Sequence, residues 1–354
     1  MVTLANLHQF VDQGHDVIVI QPSEHHYYSG MGPGMLGGTY TPDEIRFATR
    51  RQVEKKGGAF VLGKVAKIDA VAQSVHLESG AAVPYDVLSC NLGSFVPLDM
   101  INGDLKDIYT VKPIERLQAA RERVLELASR KKIAIGIVGG GPSAVEIAGN
   151  LRRLTSAPGL HAAHIRIITG SPVIAKHPSG VRKRVLRALA KNSIEIVENC
   201  HVLEIRTGCV TEASGESHAL DLIFVAVGVK PSRAFQASGI PTGPDGGLLV
   251  NRYLQSTAHA NIFGGGDCIY FQENPLDKVG VYAVRQNSVL FHNLMAAMNG
   301  GELQSFTAQA TYLLIFNLGD GTGIFYKKPI LFGGRAAFRL KDSIDRKFMR
   351  KFQE

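Results

Sequence analysis

Apolar residues recur at helical spacing from the start of the chain: Val2, Leu4, Leu7, Phe10 and Val11 fall on or near one face, predicting a helix over 2–13 that Gly14 stops. Residues 16–20 then read as a buried strand. Residues 59–68, Ser74–Leu77 and 85–90 have strand character, and Leu117, Ala120, Val124 and Leu127 share a face of a helix expected over 114–129. A near-continuous apolar strand over 133–138 runs into the tight turn Gly139-Gly140-Gly141, a helix over 143–154 and a second strand over 165–168. That is a complete βαβ unit. Residues 220–227 form another apolar strand ending at Gly228, Ile262-Phe263 runs into Gly264-Gly265-Gly266-Asp267, and a helical stretch follows over 281–298.

Strands that repeatedly end in glycines predict an α/β fold whose strand ends form nucleotide-binding crevices, and two such crevices are expected rather than one. The length of 354 residues suits two domains and an appendage. A helix feeding a parallel-type strand normally follows a first strand, so a strand is expected upstream of Met1, with a shortened gene start as the favoured explanation.

Apolar residues at 45%, charged residues at 20% and 38 glycines exclude a disordered or collagen-like chain. The formal net charge of +8 favours acidic partners such as phosphates or anionic lipid. No aromatic array is interleaved with the basic residues, so nucleic acid is not an expected partner. No apolar run approaches the roughly 18 residues of a spanning helix, and no secretory signal is visible. The default compartment is the cytoplasm, with peripheral attachment to the inner face of a membrane left open. Cys90, Cys200, Cys209 and Cys268 lack metal or redox spacing, and His25-His26 and His161-x-x-His164 lack carboxylate or cysteine company, so no metal site is expected.

The strongest chemical signal is Gly139-x-Gly141-x-x-Ala144 between strand and helix. The first glycine permits the turn, the second lets backbone approach a pyrophosphate, and Ala144 keeps helix and sheet close while the helix N-terminus faces phosphate. The acid that would accept a ribose 2′-hydroxyl at the end of the second strand is absent, the chain running Ile168-Thr169-Gly170-Ser171. Arg166, Lys176, His177, Arg182, Lys183 and Arg184 offer cations for a 2′-phosphate; the favoured reading of 181–191 is a helix with a solvated basic face.

Ala260-Asn261-Ile262-Phe263-Gly264-Gly265-Gly266-Asp267-Cys268 resembles the second FAD motif of two-dinucleotide flavoprotein reductases. Tyr28-Ser29-Gly30-Met31-Gly32-Pro33-Gly34, the run from Asp86 to Ser94, Val111-Lys112-Pro113-Ile114, the run from Leu222 to Pro231, Val281-Tyr282-Ala283-Val284-Arg285-Gln286 and the ending from Leu340 to Met349 extend the likeness. With them the chain resembles the pyridine nucleotide-disulfide oxidoreductase superfamily, on the branch of type II NADH dehydrogenases and of flavoproteins fused to selenophosphate synthetase.

The resemblance implies two Rossmann-like domains, one inserted in the other: an FAD domain at 1–113 and 234–300, an NAD(P) domain at 114–233, and a C-terminal cap at 301–354 carrying an amphipathic basic helix. It implies that Gly93, Gly265, Gly266 and Asp267 line FAD, that Ser29, Gly30 and Pro33 approach its ring, that Gly139, Gly141, Pro142 and Ser143 bind NAD(P)H, and that Lys112 and Gly228 also bind cofactor. Glu146 would sit where nicotinamide and flavin meet, with Tyr282 and Gln286 on the side of a quinone or other small acceptor. These three are the expected catalytic residues.

The sequence departs from that family in two places. It opens inside the helix that follows the family's first strand and first glycine turn, and Gln21 replaces the acid that grips the adenosine ribose of FAD. A dinucleotide-fold protein that does not hold FAD, and a flavoprotein of selenium metabolism, therefore stand as alternatives to NAD(P)H:quinone reduction. Cysteine-based sulfide oxidation is not expected, because the last third of the chain has only Cys268. In the C-terminal segment Leu340, Ile344, Phe348 and Phe352 fall at i, i+4 spacing among basic residues, a pattern suited to packing on its own protein, to a homodimer contact or to a membrane surface.

Overall fold

The structure, a computed structural model, describes residues 2–309 and 311–353. A five-stranded parallel sheet dominates one half, in the order Ile108–Thr110, Leu222–Val225, Ala134–Val138, His164–Ile168 and Glu195–Val197. Helices Pro142–Thr155 and Ser179–Lys191 provide the crossovers. Ile135, Ile137, Ile165, Ile167 and all four residues of Leu222–Val225 are buried, as expected of a parallel sheet covered on both faces. This sheet begins before the expected boundary at 114: Ile108–Thr110 pairs in parallel with Ile223–Val225, and the rings of Tyr109 and Phe224 lie 5.8 Å apart. Three residues were too short a run to show an apolar period.

The other half is built from smaller pieces. Ile18–Gln21 pairs with Ala59–Leu62, Leu88–Cys90 with Ile262–Gly264, and Leu248–Val250 with Ile269–Phe271, each in parallel. Among the described residues Ile18–Gln21 has no second strand partner. An antiparallel meander of Val65–Asp69, Ser74–Leu77 and Ala82–Pro84 stands beside them. The long strand expected over 59–68 is therefore two strands in different sheets. Gly63 makes the break, its N–H donating to Gln21 O at 2.9 Å where the first pairing ends.

The helix expected over 2–13 is likewise two turns, Val2–Ala5 and His8–Val11. Asn6 Nδ2 donates to Val2 O at 3.0 Å, competing for a carbonyl of the helix ladder. Helix Gly280–Asn299 packs this half together, contributing Val289, Leu290 and Leu294 to a core with Phe235, Phe263 and Phe271.

The C-terminal region forms an antiparallel sheet, Leu314–Asn317, Gly323–Lys327 and Ile330–Gly334, and ends in helix Arg335–Phe352. It docks on helix Pro142–Thr155 where the side chain is smallest: a Cβ on Gly149 would stand 2.3 Å from Leu318 O. The expected apolar stripe divides. Met349 and Phe352 are buried and Phe348 stacks on Tyr28 at 4.7 Å, whereas Leu340 and Ile344 stay 39% and 41% exposed.

Candidate functional site

The glycines after Ala134–Val138 have separate jobs. Gly139 has φ +127°, and a Cβ there would stand 2.3 Å from Ala226 O. A Cβ on Gly140 would meet Thr169 Oγ1 at 2.5 Å. Gly139 thus lets the turn lie against neighbouring backbone, and Gly140 lets it lie against the Thr169 side chain. Gly141 instead faces open space, at the N-cap of helix Pro142–Thr155, with that helix's first N–H groups behind it. A side chain there would fill the place a pyrophosphate needs.

These residues open onto one cavity of about 1070 Å³. Of the residues expected from sequence, Ser29, Gly30, Pro33, Lys112, Gly139, Gly141, Pro142, Ser143, Glu146, Gly228 and Asp267 all line it. Asp267 Oδ2 lies 2.6 Å from Lys112 Nζ and accepts from Ser94 Oγ at 2.8 Å. The pair is 25% and 12% exposed, so a polar ligand reaches it at the cavity wall. Gly93 has φ +65° with open space at its Cβ position. A carboxylate and an ammonium beside a bare glycine turn suit the hydroxyls of a sugar alcohol, so the residues present fit FAD here. At the adenosine end Gln21 Nε2 is spent within its own loop, on Ser23 O and His25 O at 2.7 and 2.8 Å.

The structure does not bring Gly93, Gly265, Gly266, Tyr282 or Gln286 to the wall of that cavity. Gln286 is 1% exposed, and its Oε1 accepts from Gly266 N at 2.7 Å, which fixes the glycine turn that ends at Asp267. Tyr282 is buried, its OH donating to Gln309 O at 3.3 Å and its ring edge-on to Tyr312. Tyr282, Gln286 and Gly266 instead line a small pocket that shares Asp267, Lys278 and Val279 with the cavity.

Glu146 is the acidic residue of the helix that enters the cavity. Its Oε1 accepts from Asn317 N at 2.8 Å. Burial pushes its carboxyl up to about 7, against the opposing charge of Lys341 and the Asn317 hydrogen bond. Sequence reasoning missed its neighbours on the C-terminal helix. Lys341 Nζ lies 2.6 Å from Asp345 Oδ2 and donates to Gly30 O at 2.8 Å, and Tyr28 OH donates to Asp345 Oδ1 at 3.2 Å. Burial alone would lower the Lys341 ammonium, but the carboxylates of Asp345 and Glu146 outweigh it and hold it protonated. The i, i+4 spacing of Lys341 and Asp345 was the available signal. Within a run of seven basic residues it was indistinguishable from surface charge.

Cys200, Glu212 and His218 place three ligand-type atoms within 4.8 Å of one another. Arg166 Nη1 lies 3.0 Å from His218 Nδ1 and can only donate, so Nε2 carries the ring proton and gives it to Glu212 Oε1 at 2.6 Å. That ring nitrogen is committed to hydrogen bonding, and burial pushes the Cys200 thiol up to about 12.

The Gly139–Gly141 turn of one nucleotide fold and Asp267, at the end of the other fold's glycine turn, face one cavity and define a dinucleotide-dependent redox protein. The family model described as pyridine nucleotide-disulphide oxidoreductase matches residues 2–296, and the chain belongs to that family, whose members bind FAD and NAD(P)H. It is 26% identical over 279 residues to ferroptosis suppressor protein 1 of Xenopus tropicalis, covering 75% of this chain and 71% of that one. It is 24% identical over 356 residues to a type II NADH:quinone oxidoreductase of Staphylococcus epidermidis, covering 93% and 87%. The sulfide:quinone oxidoreductase structure from Aquifex aeolicus superposes with a TM-score of 0.81 at 17% identity, over 99% of this chain and 89% of that one. That last likeness concerns the fold: Cys90 and Cys268 are buried away from the cavity, and Cys200 lines it among the nucleotide-side residues. No helix among the described residues is long and apolar enough to cross a membrane.

Proposed function

We propose that this chain is a FAD-dependent NAD(P)H:quinone oxidoreductase. The observation that carries the reading is the single cavity onto which both Gly141 and Asp267 open. FAD, when bound, supplies the redox chemistry, taking a hydride from the nicotinamide and passing electrons to the acceptor.

The chain's own part is positioning, exclusion of water and proton handling. Gly141 and the first turn of Pro142–Thr155 hold a pyrophosphate, while Asp267 and Lys112 hold the sugar alcohol of FAD. Ser29, Gly30 and Pro33 form a wall against the flavin ring, braced by the Lys341 bond to Gly30 O. Glu146 has a carboxyl that titrates near neutrality, suited to holding a proton for a quinone oxygen, with the Lys341 ammonium as the fixed charge beside it. Ile344 and Phe348 add apolar surface to the same cavity, fitting a quinone ring. Leu340 and Ile344 stand exposed on a helix that also carries Arg339, Lys347, Arg350 and Lys351, which favours a membrane surface as the source of quinone.

The names of the relatives from Xenopus and Staphylococcus support the reading of a flavin oxidoreductase with a quinone acceptor. The test is steady-state oxidation of NADH and NADPH by FAD-supplemented protein with a soluble quinone. Quinone-dependent turnover that Glu146→Gln slows supports it; turnover with neither nucleotide defeats it.

A further inference from the structure

The far end of the cavity, beyond the Gly139 turn, differs in charge from the end that faces Asp267. Three carboxylates line the cavity, Glu146, Asp267 and Asp345, and Glu146 and Asp345 cluster with Lys341 while Asp267 pairs with Lys112. None lies on the loops that follow His164–Ile168 and Glu195–Val197. Those loops form the rim where a βαβ nucleotide fold meets the adenosine ribose.

The acids that sequence places nearby are engaged elsewhere. Glu195 pairs with His164 and Arg166. Glu198 accepts from Val173 N at 2.7 Å and takes both of its oxygens to Arg182 Nη2, at 2.9 and 3.0 Å. Thr169, in the position where a carboxylate would grip a 2′-hydroxyl, turns its hydroxyl inward to Ser171 O at 3.0 Å. The Glu198 carboxylate on this rim is thus held by Arg182 rather than presented to a ribose.

Donors take the place of the acid. Ser171 and His201, on the loops that follow His164–Ile168 and Glu195–Val197, and Lys176 line the cavity, while the His177 ring turns to Phe316 of the C-terminal sheet. The His201 ring lies against the loop, its Nδ1 2.9 Å from the Cβ position of Gly170. Lys176 is exposed and has no acidic partner within ion-pair distance among the described residues. Of the cations that sequence offered for this work, Arg166 and Arg182 are neutralised by Glu195 and Glu198, and Lys183 and Arg184 do not line the cavity, so the Lys176 ammonium remains, with the His201 imidazole beside it.

We infer that the nucleotide compartment selects a 2′-phosphorylated dinucleotide, NADPH rather than NADH, with Lys176, Ser171 and His201 gripping the 2′-phosphate. The inference rests on the dinucleotide reading of the Gly139 to Gly141 turn and specifies which nucleotide that site takes. A charge-assisted contact from an otherwise unpaired lysine is worth about a tenfold difference in affinity.

Calorimetric titration of the full chain with NADP+, NAD+ and 2′,5′-ADP tests it without turnover. Expected are NADP+ binding about tenfold or more tighter than NAD+, detectable binding of 2′,5′-ADP, and a preference that shrinks as salt rises. Lys176→Ala should bring the ratio towards unity, and Ser171→Asp should reverse it. Equal or tighter binding of NAD+, or a ratio untouched by Lys176→Ala and His201→Ala together, overturns the 2′-phosphate assignment while leaving the dinucleotide site standing. Binding of neither nucleotide removes the site itself, and this inference with it.

Discussion

Asn317 donates its backbone N–H to Glu146 Oε1 at 2.8 Å, joining the antiparallel C-terminal sheet to the helix that follows the nucleotide turn. Desolvation at that junction favours the protonated carboxyl, and its proton affinity is the first consequence open to measurement.

Burial holds Glu146 at about 7 in the folded protein, above an ordinary carboxyl. A raised carboxyl contributes its stability below the unfolded value near 4.5 and loses it as pH climbs to about 7. Glu146→Gln should therefore gain on the parent chain by up to ~3 kcal/mol between pH 4.5 and 7.5. Urea unfolding at several pH values checks this, and parallel profiles for the two proteins would refute it.

Gly139 and Gly141 look alike in sequence and should fail differently. Gly139→Ala meets Ala226 O at a positive φ and should destabilise by roughly 2–4 kcal/mol. Gly141→Val faces open space and should fold with nearly unchanged melting temperature yet lose NAD(P) binding. Thermal denaturation with and without nucleotide separates the two outcomes.

Lys341 and Asp345 are 12% and 6% exposed, so truncating one leaves the other buried and unpaired. Lys341→Met should cost about 3–5 kcal/mol, and Lys341→Met with Asp345→Leu should recover most of that. Additive losses in the double variant would show that the two residues act separately.

Asp267→Ala removes the acceptor shared by Lys112 and Ser94. Flavin affinity should fall about tenfold or more while the far-ultraviolet spectrum stays that of the parent. Fluorescence titration with FAD reads this directly, and unchanged affinity would show that FAD does not use this carboxylate.

The nucleotide half was legible because its strands are buried on both faces and its glycine turn sits at a strand end, so period and motif agreed from Ile135 to Ile168. The other half was harder. Its parallel strands are three or four residues long, paired two by two, and the break at Gly63 falls inside one apolar run. The cavity-lining glycines were readable as motifs, but the job of each depends on what a Cβ would meet, which only packing reveals. Lys341 and Asp345 were hidden for the opposite reason: charge on an amphipathic helix reads as solvated until the fold turns that face inward.

The most direct test of the shared cavity is anaerobic mixing of the FAD-loaded protein with NADPH or NADH, followed in the flavin absorbance bands. Rapid bleaching by at least one nucleotide, reversed on adding a quinone and abolished by Gly141→Val, is the expected result. Bound flavin that stays oxidised with both nucleotides would contradict the claim that the Gly139–Gly141 turn and Asp267 serve one redox site.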